Sequence, residues 1–175
     1  MANILIVEDS KSAAAAHAYS LWEFGHTVTF AYSAKEAVEA FQGTRHEVVL
    51  LDFDLPDGTG LEVFRALRQV DPGVSVVMVT GKGSERVAGQ ILKEGAREYL
   101  TKCPELWAVL PEVVHRVLQE RQLKRQLSEN TQALKLAHNA IRQKAAELAE
   151  VNARLQQEIQ AHAVTAAALR EARGG

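Results

Sequence analysis

The sequence predicts an α/β fold: a doubly wound, five-stranded parallel sheet in the order 2-1-3-4-5, followed by a long C-terminal α-helical coiled coil. Three observations predict it. Short apolar runs alternate with helical stretches of ten to fifteen residues, the pattern of βαβ units with helices on both sheet faces. The run VVLL, Val48 to Leu51, has no polar alternation and stops abruptly at Asp52, as a strand buried on both faces does. Beyond Pro111 neither glycine nor proline occurs until Gly174, and Ala, Leu, Gln, Glu, Lys and Arg dominate.

Taken in order, Asn3 to Val7 (NILIV) reads as the first strand, ending in Glu8 and Asp9. Ser10 or Asp9 can cap a helix over roughly Lys11 to Phe24, whose alanines favour helix and which Gly25 stops. Thr27 to Ala31 is the second strand, and Ser33 caps a helix to about Phe41. The strand ending at Asp52 is third; Asp54 and Asp57 follow it in a Pro/Gly-rich acidic loop, and a helix spans about Thr59 to Val70. Asp71-Pro72-Gly73 is a turn before the fourth strand, Val74 to Thr80. Ser84 opens a helix to about Glu94, stopped by Gly95, and Arg97 to Thr101 is the fifth strand, ending at Lys102. Pro104 breaks the chain, and Pro111 suits the first turn of the last helix.

Composition sets outer bounds. With 175 residues, 47% hydrophobic and 24% charged, the chain has room for one ordinary domain and an appendage. A net charge of -2 gives no global field to recruit nucleic acid or acidic membranes. Cys103 is the single cysteine, so no intrachain disulfide is possible and a reducing, cytoplasmic setting is expected. The N-terminus reads as a strand rather than a signal peptide, and no stretch is long enough to span a membrane.

The strand order places the first and third strand ends side by side at a topological switch point, where open α/β sheets bind ligands. Glu8, Asp9 and Asp52 then crowd together, with Thr80 and Lys102 on the same edge. Crowded carboxylates repel unless a cation sits among them, and Mg2+ suits a site with one or two direct carboxylates and several waters. Asp52 could attack a phosphoryl group, Lys102 balance its oxygens and Thr80 donate a hydrogen bond to one. Each residue also has an ordinary structural role, the acids as helix N-terminal charges and Lys102 as a solvated surface lysine. Their joint arrival at strand ends favours the chemical reading.

From Met1 to about Val117 these motifs, Glu8-Asp9, Asp52 in LLDFDLPDGTG, Thr80-Gly81 and Lys102 after YLT, resemble the CheY-like, flavodoxin-like receiver domain of two-component response regulators. The resemblance implies that Asp52 is the phosphoacceptor, Thr80 the switch hydroxyl, Lys102 the phosphoryl charge partner and Tyr99 the switch aromatic. It implies Mg2+ held by Asp9 and Asp52 directly, by the main-chain carbonyl of Asp54, and by Glu8 through water. It also implies a histidine kinase or phosphotransfer protein as phosphodonor, and a signalling domain rather than an enzyme. Two departures stand out. Glu8 replaces the commoner Asp and reaches further, so its contact with the ion could be direct or through water. Cys103 intervenes between the lysine and Pro104, where the family often has proline directly. Cys103 itself reads as a small buried or turn residue. Asp54 and Lys82 occupy positions that tune phosphoryl lifetime in the family.

Residues 1–117 therefore read as the receiver and 118–173 as a continuation of its last helix. Leu127, Leu134, Ile141, Leu148, Leu155, His162 and Leu169 recur every seven residues. With these at d, Thr131, His138, Ala145, Asn152, Ile159 and Ala166 fall at a; Leu at d with an Asn at a favours a parallel two-stranded coil. Its polar and alanine layers make it weak, and a solitary amphipathic helix is the alternative. Sixty helical residues would reach about 90 Å. His138 reads as a polar layer rather than a phosphorylated histidine, because the acid and proline that normally follow such a histidine are missing.

The expectation is a Mg2+-dependent phosphoacceptor signalling through a dimerising coil to an output module supplied elsewhere, without direct nucleic-acid contact. The alternative is a constitutive coiled-coil scaffold with a vestigial pocket. A haloacid-dehalogenase-like phosphatase would also use an aspartyl nucleophile, but its motif belongs after the first strand.

Overall fold

The computed structural model describes residues 1–81, 89, 92–103 and 105–173. The central strand β3 (Val48–Asp52) is buried along its whole length. It is flanked by β1 (Asn3–Val7) and β6 (Ser75–Thr80), with β2 (Thr27–Ala31) and β7 (Glu98–Thr101) at the edges. All four pairings are parallel, so the five sheet strands, counted along the chain, stand in the order 2-1-3-4-5. That is the order the sequence predicts. The parallel register aligns Ile4 with Val48 and Val48 with Ser75, which brings the C-terminal ends of β1, β3 and β6 to one edge.

Successive strand residues face opposite sides, and both sides are covered. On one, Leu5, Val7, Val49, Leu51, Val76 and Met78 pack against Ala37 and Phe41 of α2 (Ala34–Gly43) and Val63, Phe64 and Leu67 of α3 (Gly60–Val70). On the other, Ile4, Ile6, Val48, Leu50 and Val77 meet Ala14, Ala18 and Leu21 of α1 (Lys11–Glu23) and Leu110, Val113, Val114 and Val117 of the last helix, α4 (Leu106–Arg173). Each fully buried large apolar side chain contributes about 1.5–3 kcal/mol. This double coverage explains why β1, β3 and β6 carry continuous apolar runs.

Helix ends follow the capping residues. Ser10 accepts from the Ala13 N–H, Ser33 from the Glu36 N–H, and Thr59 with Glu62 forms a reciprocal capping box on α3. Two features depart from the sequence reading. The acidic loop after Asp52 contains a two-stranded antiparallel ribbon, β4 (Asp54–Leu55) with β5 (Gly58–Thr59), too short to leave a periodicity. Pro111 does not sit in the first turn of its helix. The helix begins at Leu106, and Pro111 lies inside it, where its missing N–H forfeits one intrahelical bond. Burial of Leu110, Val113, Val114 and Val117 on the sheet holds the turns on either side of it. The helix expected from Ser84 falls almost wholly outside the described residues, as do Lys82 and Pro104.

The chain divides into two compact units, Met1–Leu123 and Lys124–Gly175. Within the first, Arg121 fastens the last packed turn of α4: its guanidinium donates to the Glu47 carbonyl at 2.7 Å and to the Asp71 carboxylate at 3.4 Å. The second is the remaining length of α4, where every residue described to position 169 is exposed. No helix among the described residues is long and apolar enough to cross a membrane.

Just before β3, His46 is 1% exposed and stacks on Phe41, and neither ring nitrogen has a well-formed hydrogen bond among the described residues. Burial lowers its pKa, opposed only in part by the Thr44 backbone. The unfolded chain therefore binds a proton that the native one excludes, and stability falls as pH drops through the unfolded value of about 6.5. Wild type should lose more stability than His46→Phe between pH 7.5 and pH 5. Each pKa unit of depression is worth about 1.4 kcal/mol, and urea unfolding at the two pH values reads the difference.

Candidate functional site

The strand geometry delivers the candidate residues to one edge. Glu8 and Asp9 follow β1 directly, and Asp52 is the last residue of β3. Glu8 and Asp52 are 3% and 4% exposed, whereas Asp9 is open to solvent. One carboxylate oxygen from each of the three lies within 4.8 Å of the other two. Lys102, immediately after β7, reaches across so that its ammonium stands 2.6 Å from Asp52 Oδ2 and 2.7 Å from Glu8 Oε2. Its own N–H donates to the Thr80 carbonyl at 2.8 Å, fixing the start of that reach against β6.

Three carboxylates face one ammonium, and the electrostatics follow from that shortage. At Glu8 burial is the largest influence and raises the pKa; the Asp52 charge adds to it, and the Lys102 contact offsets only part. At Lys102 burial alone would lower the pKa, but hydrogen bonds from its ammonium to Asp52 and Glu8 outweigh that and raise it. The two directions are compatible, since one cation shared by two acids is held firmly while each acid receives less than a full partner. The uncompensated negative charge, the oxygen-only donors and one exposed acid suit a hard divalent cation with waters in its shell.

Thr80 ends β6, is 1% exposed and pairs across to Thr101. Tyr99 pairs with Met78 and is half-buried against the core, its enclosed hydroxyl without a hydrogen-bond partner among the described residues. Asp54 is exposed, and its N–H lies 3.5 Å from Asp52 Oδ1. Cys103 is exposed and free, in the connection leading to α4. The edge thus brings together Glu8, Asp9, Asp52 and Lys102, with Asp54 and Thr80 in the segments beside them.

Two residues that shape the site were not singled out in the sequence. Gly60, the first residue of α3, donates to the Phe53 carbonyl at 2.7 Å. A Cβ there would collide with the Asp52 carbonyl oxygen and lie 2.9 Å from Phe53 Cα and Met78 Cε. The start of α3 therefore presses directly on the backbone of Asp52, an approach only glycine allows. The signal was the closely spaced glycines of DGTG. The second is Asp57, read as one more acid of the loop. Its carboxylate instead turns away to the N-terminus of α2, accepting from the N–H groups of Ala34 at 2.7 Å and Lys35 at 3.0 Å. Those bonds hold its pKa below the ordinary carboxylate value and tie the loop to a helix end.

Comparison with known proteins places this edge in context. The family model described as the response regulator receiver domain matches residues 4–114. Transcriptional regulatory protein TcrA of Mycobacterium tuberculosis is 41% identical over 101 residues, which is 57% of this chain and 39% of TcrA. The chain thus spans about two fifths of that relative's length. A response regulator receiver domain protein from Clostridium thermocellum superposes with a TM-score of 0.66 at 27% identity, covering 70% of this chain and 98% of that structure. NtrX from Brucella abortus gives 0.69 at 29% identity, over 73% of this chain and 29% of NtrX.

Replacing Gly60 should distort the edge from below. Gly60→Ala is expected to destabilise the protein by about 1–3 kcal/mol, the usual cost of forcing volume into a filled space. It should also shift the amide resonances of Asp52 to Asp54. Urea unfolding and amide NMR read the two effects, and an unshifted Asp52 would contradict the close approach.

Proposed function

Because the chain belongs to the response regulator receiver family, we propose that it accepts a phosphoryl group on Asp52 from a histidine kinase or phosphotransfer protein. The observation that carries this reading is the Lys102 ammonium held 2.6 Å from a buried Asp52 carboxylate, with the acids of Glu8 and Asp9 beside it. Asp52 supplies the attacking oxygen; the bond from phosphorus to the donor nitrogen breaks as the bond to the aspartate oxygen forms. Lys102 sits where it can follow negative charge from the carboxylate onto the phosphoryl oxygens. Burial of Asp52 excludes most water from the acceptor. Asp9, Asp52 and the Asp54 carbonyl, with Glu8 through water, would hold Mg2+, which when bound would supply positive charge beside the phosphoryl oxygens.

In this proposal the Thr80 hydroxyl moves to hydrogen-bond the phosphoryl group and Tyr99 repacks beside it. An enclosed hydroxyl without a hydrogen-bond partner among the described residues supports Tyr99 as a side chain with a second position available. Residues 1–117 form the receiver and 118–173 a parallel homodimeric coil that conveys the change to an output module. Support for the coil is the row Leu127, Leu134, Ile141, Leu148, Leu155 and Leu169, all exposed on one chain at heptad spacing. Asn152 at an a position would set the register at some cost in stability.

Incubation with acetyl phosphate should add the mass of one phosphoryl group to wild type only when Mg2+ is present, and none to Asp52→Asn. Intact-mass spectrometry decides this, with phosphate release measured alongside to detect rapid turnover. Absence of both adduct and release would leave the constitutive scaffold as the better account. Separately, Leu134→Asp with Leu148→Asp should convert the dimer to monomer in sedimentation equilibrium while the adduct still forms. A wild-type monomer at all concentrations would remove the coil from the proposal.

A further inference from the structure

Glu8 is longer by one methylene than the aspartate commoner at its position, and its two oxygens are both engaged. Oε1 accepts from the Ser10 N–H at 3.3 Å, at the cap of α1, and Oε2 accepts from the Lys102 ammonium at 2.7 Å. The same ammonium lies 2.6 Å from Asp52 Oδ2. Asp9, by contrast, is exposed and receives no hydrogen bond from the described residues. The backbone at Glu8 is fixed as well: its N–H donates to the Ala31 carbonyl at 3.1 Å, extending the ladder between β1 and β2. Glu8 is thus held at the backbone, at one side-chain oxygen and by burial, and it presents the other oxygen to the lysine. Lys102 is held at its backbone by the N–H bond to the Thr80 carbonyl, but its ammonium rides on a flexible four-carbon stem beyond the last residue of an edge strand.

We propose that Glu8 is a positioning residue for Lys102: a fixed tether that keeps the ammonium over the acceptor oxygen of Asp52. The extra methylene gives the reach that this tether needs. The two acids of the pair then divide the work, with Asp9 facing the cation and solvent and Glu8 facing the lysine. The inference rests on the receiver reading for its functional meaning. When a phosphoryl group takes up an Asp52 oxygen, the lysine stays anchored through Glu8 and turns to the new oxygens rather than to solvent.

The test is the reactivity of the Lys102 amine toward an acylating reagent such as N-acetoxysuccinimide. It is followed by peptide mass spectrometry in metal-free wild type, Glu8→Gln, Glu8→Asp, Asp52→Asn and the Glu8→Gln/Asp52→Asn pair. Lys35, exposed on α2, serves as the internal reference for any general loosening of the fold. Glu8→Gln and Glu8→Asp should each acylate Lys102 at least threefold faster than wild type, the second showing that charge without reach does not suffice. Asp52→Asn should remain partly protected, and the paired variant should exceed it at least threefold. Equal Lys102 rates in wild type and both Glu8 variants would overturn the tether, as would equal rates in Asp52→Asn and the pair. If Gln at position 8 raises the Lys35 rate in parallel, Glu8→Asp alone decides between the same two outcomes. Because the assay uses neither phosphodonor nor metal, it stands apart from the acetyl phosphate result. Protection by Glu8 with neither phosphoryl adduct nor phosphate release would sink the phosphoacceptor reading and keep the tether, and the reverse pair of results would do the opposite.

Discussion

A carboxylate at the end of a strand with no exposed residue is the constraint on which the rest of this structure depends. Asp52 belongs to the buried central strand by its backbone and to the acidic edge of the sheet by its carboxylate. A charge so placed persists only with a counter-charge within hydrogen-bond reach. Lys102 supplies it from another strand end, fifty residues further along the chain. Formation of the pair therefore requires that β3, β6 and β7 already stand side by side in register. The Lys102 N–H bond to the Thr80 carbonyl shows how closely the two requirements are joined. The sheet builds the pair by bringing the ends of β3 and β7 within reach of one another.

Around that pair the chain distributes its other acids by task. Glu8 faces the lysine, Asp9 faces solvent, and Asp57 leaves the site altogether to cap α2. Three carboxylates that look interchangeable in sequence thus meet three different electrostatic environments. The loop that carries Asp54 and Asp57 is also less loose than its composition suggests. A small ribbon, the capping box of Thr59 with Glu62, and the close approach of Gly60 to Asp52 all restrain it. The backbone of Asp52 therefore has little spare volume on the side of α3.

The long helix α4 shows one sequence element meeting two requirements. Its first turns bury Leu110, Val113, Val114 and Val117 against the sheet despite the proline among them. The contact ends in the Arg121 hydrogen bonds to Glu47 and Asp71. Beyond Leu123 the same helix exposes a row of leucines and isoleucines that a single chain leaves in water. Apolar surface of that regularity is what makes association with another helix the natural reading of the second unit.

Local periodicity and composition were enough to read the order and type of the five strands of the main sheet, the cap of α2 at Ser33, the parallel pairing and the acid, hydroxyl and amine at the sheet edge. Each of these is written in neighbouring residues: an apolar run, a serine before a helix, a carboxylate after a strand. The heptad row was legible for the same reason. The structure alone decided which acid takes the lysine, that Asp57 serves a helix end, that Gly60 must be bare, and that Pro111 sits inside a helix rather than at its start. Those outcomes depend on distances between residues remote in sequence and on whether packing outweighs a lost hydrogen bond. Spacing along the chain carries neither quantity, because both arise only when the sheet has brought the segments together.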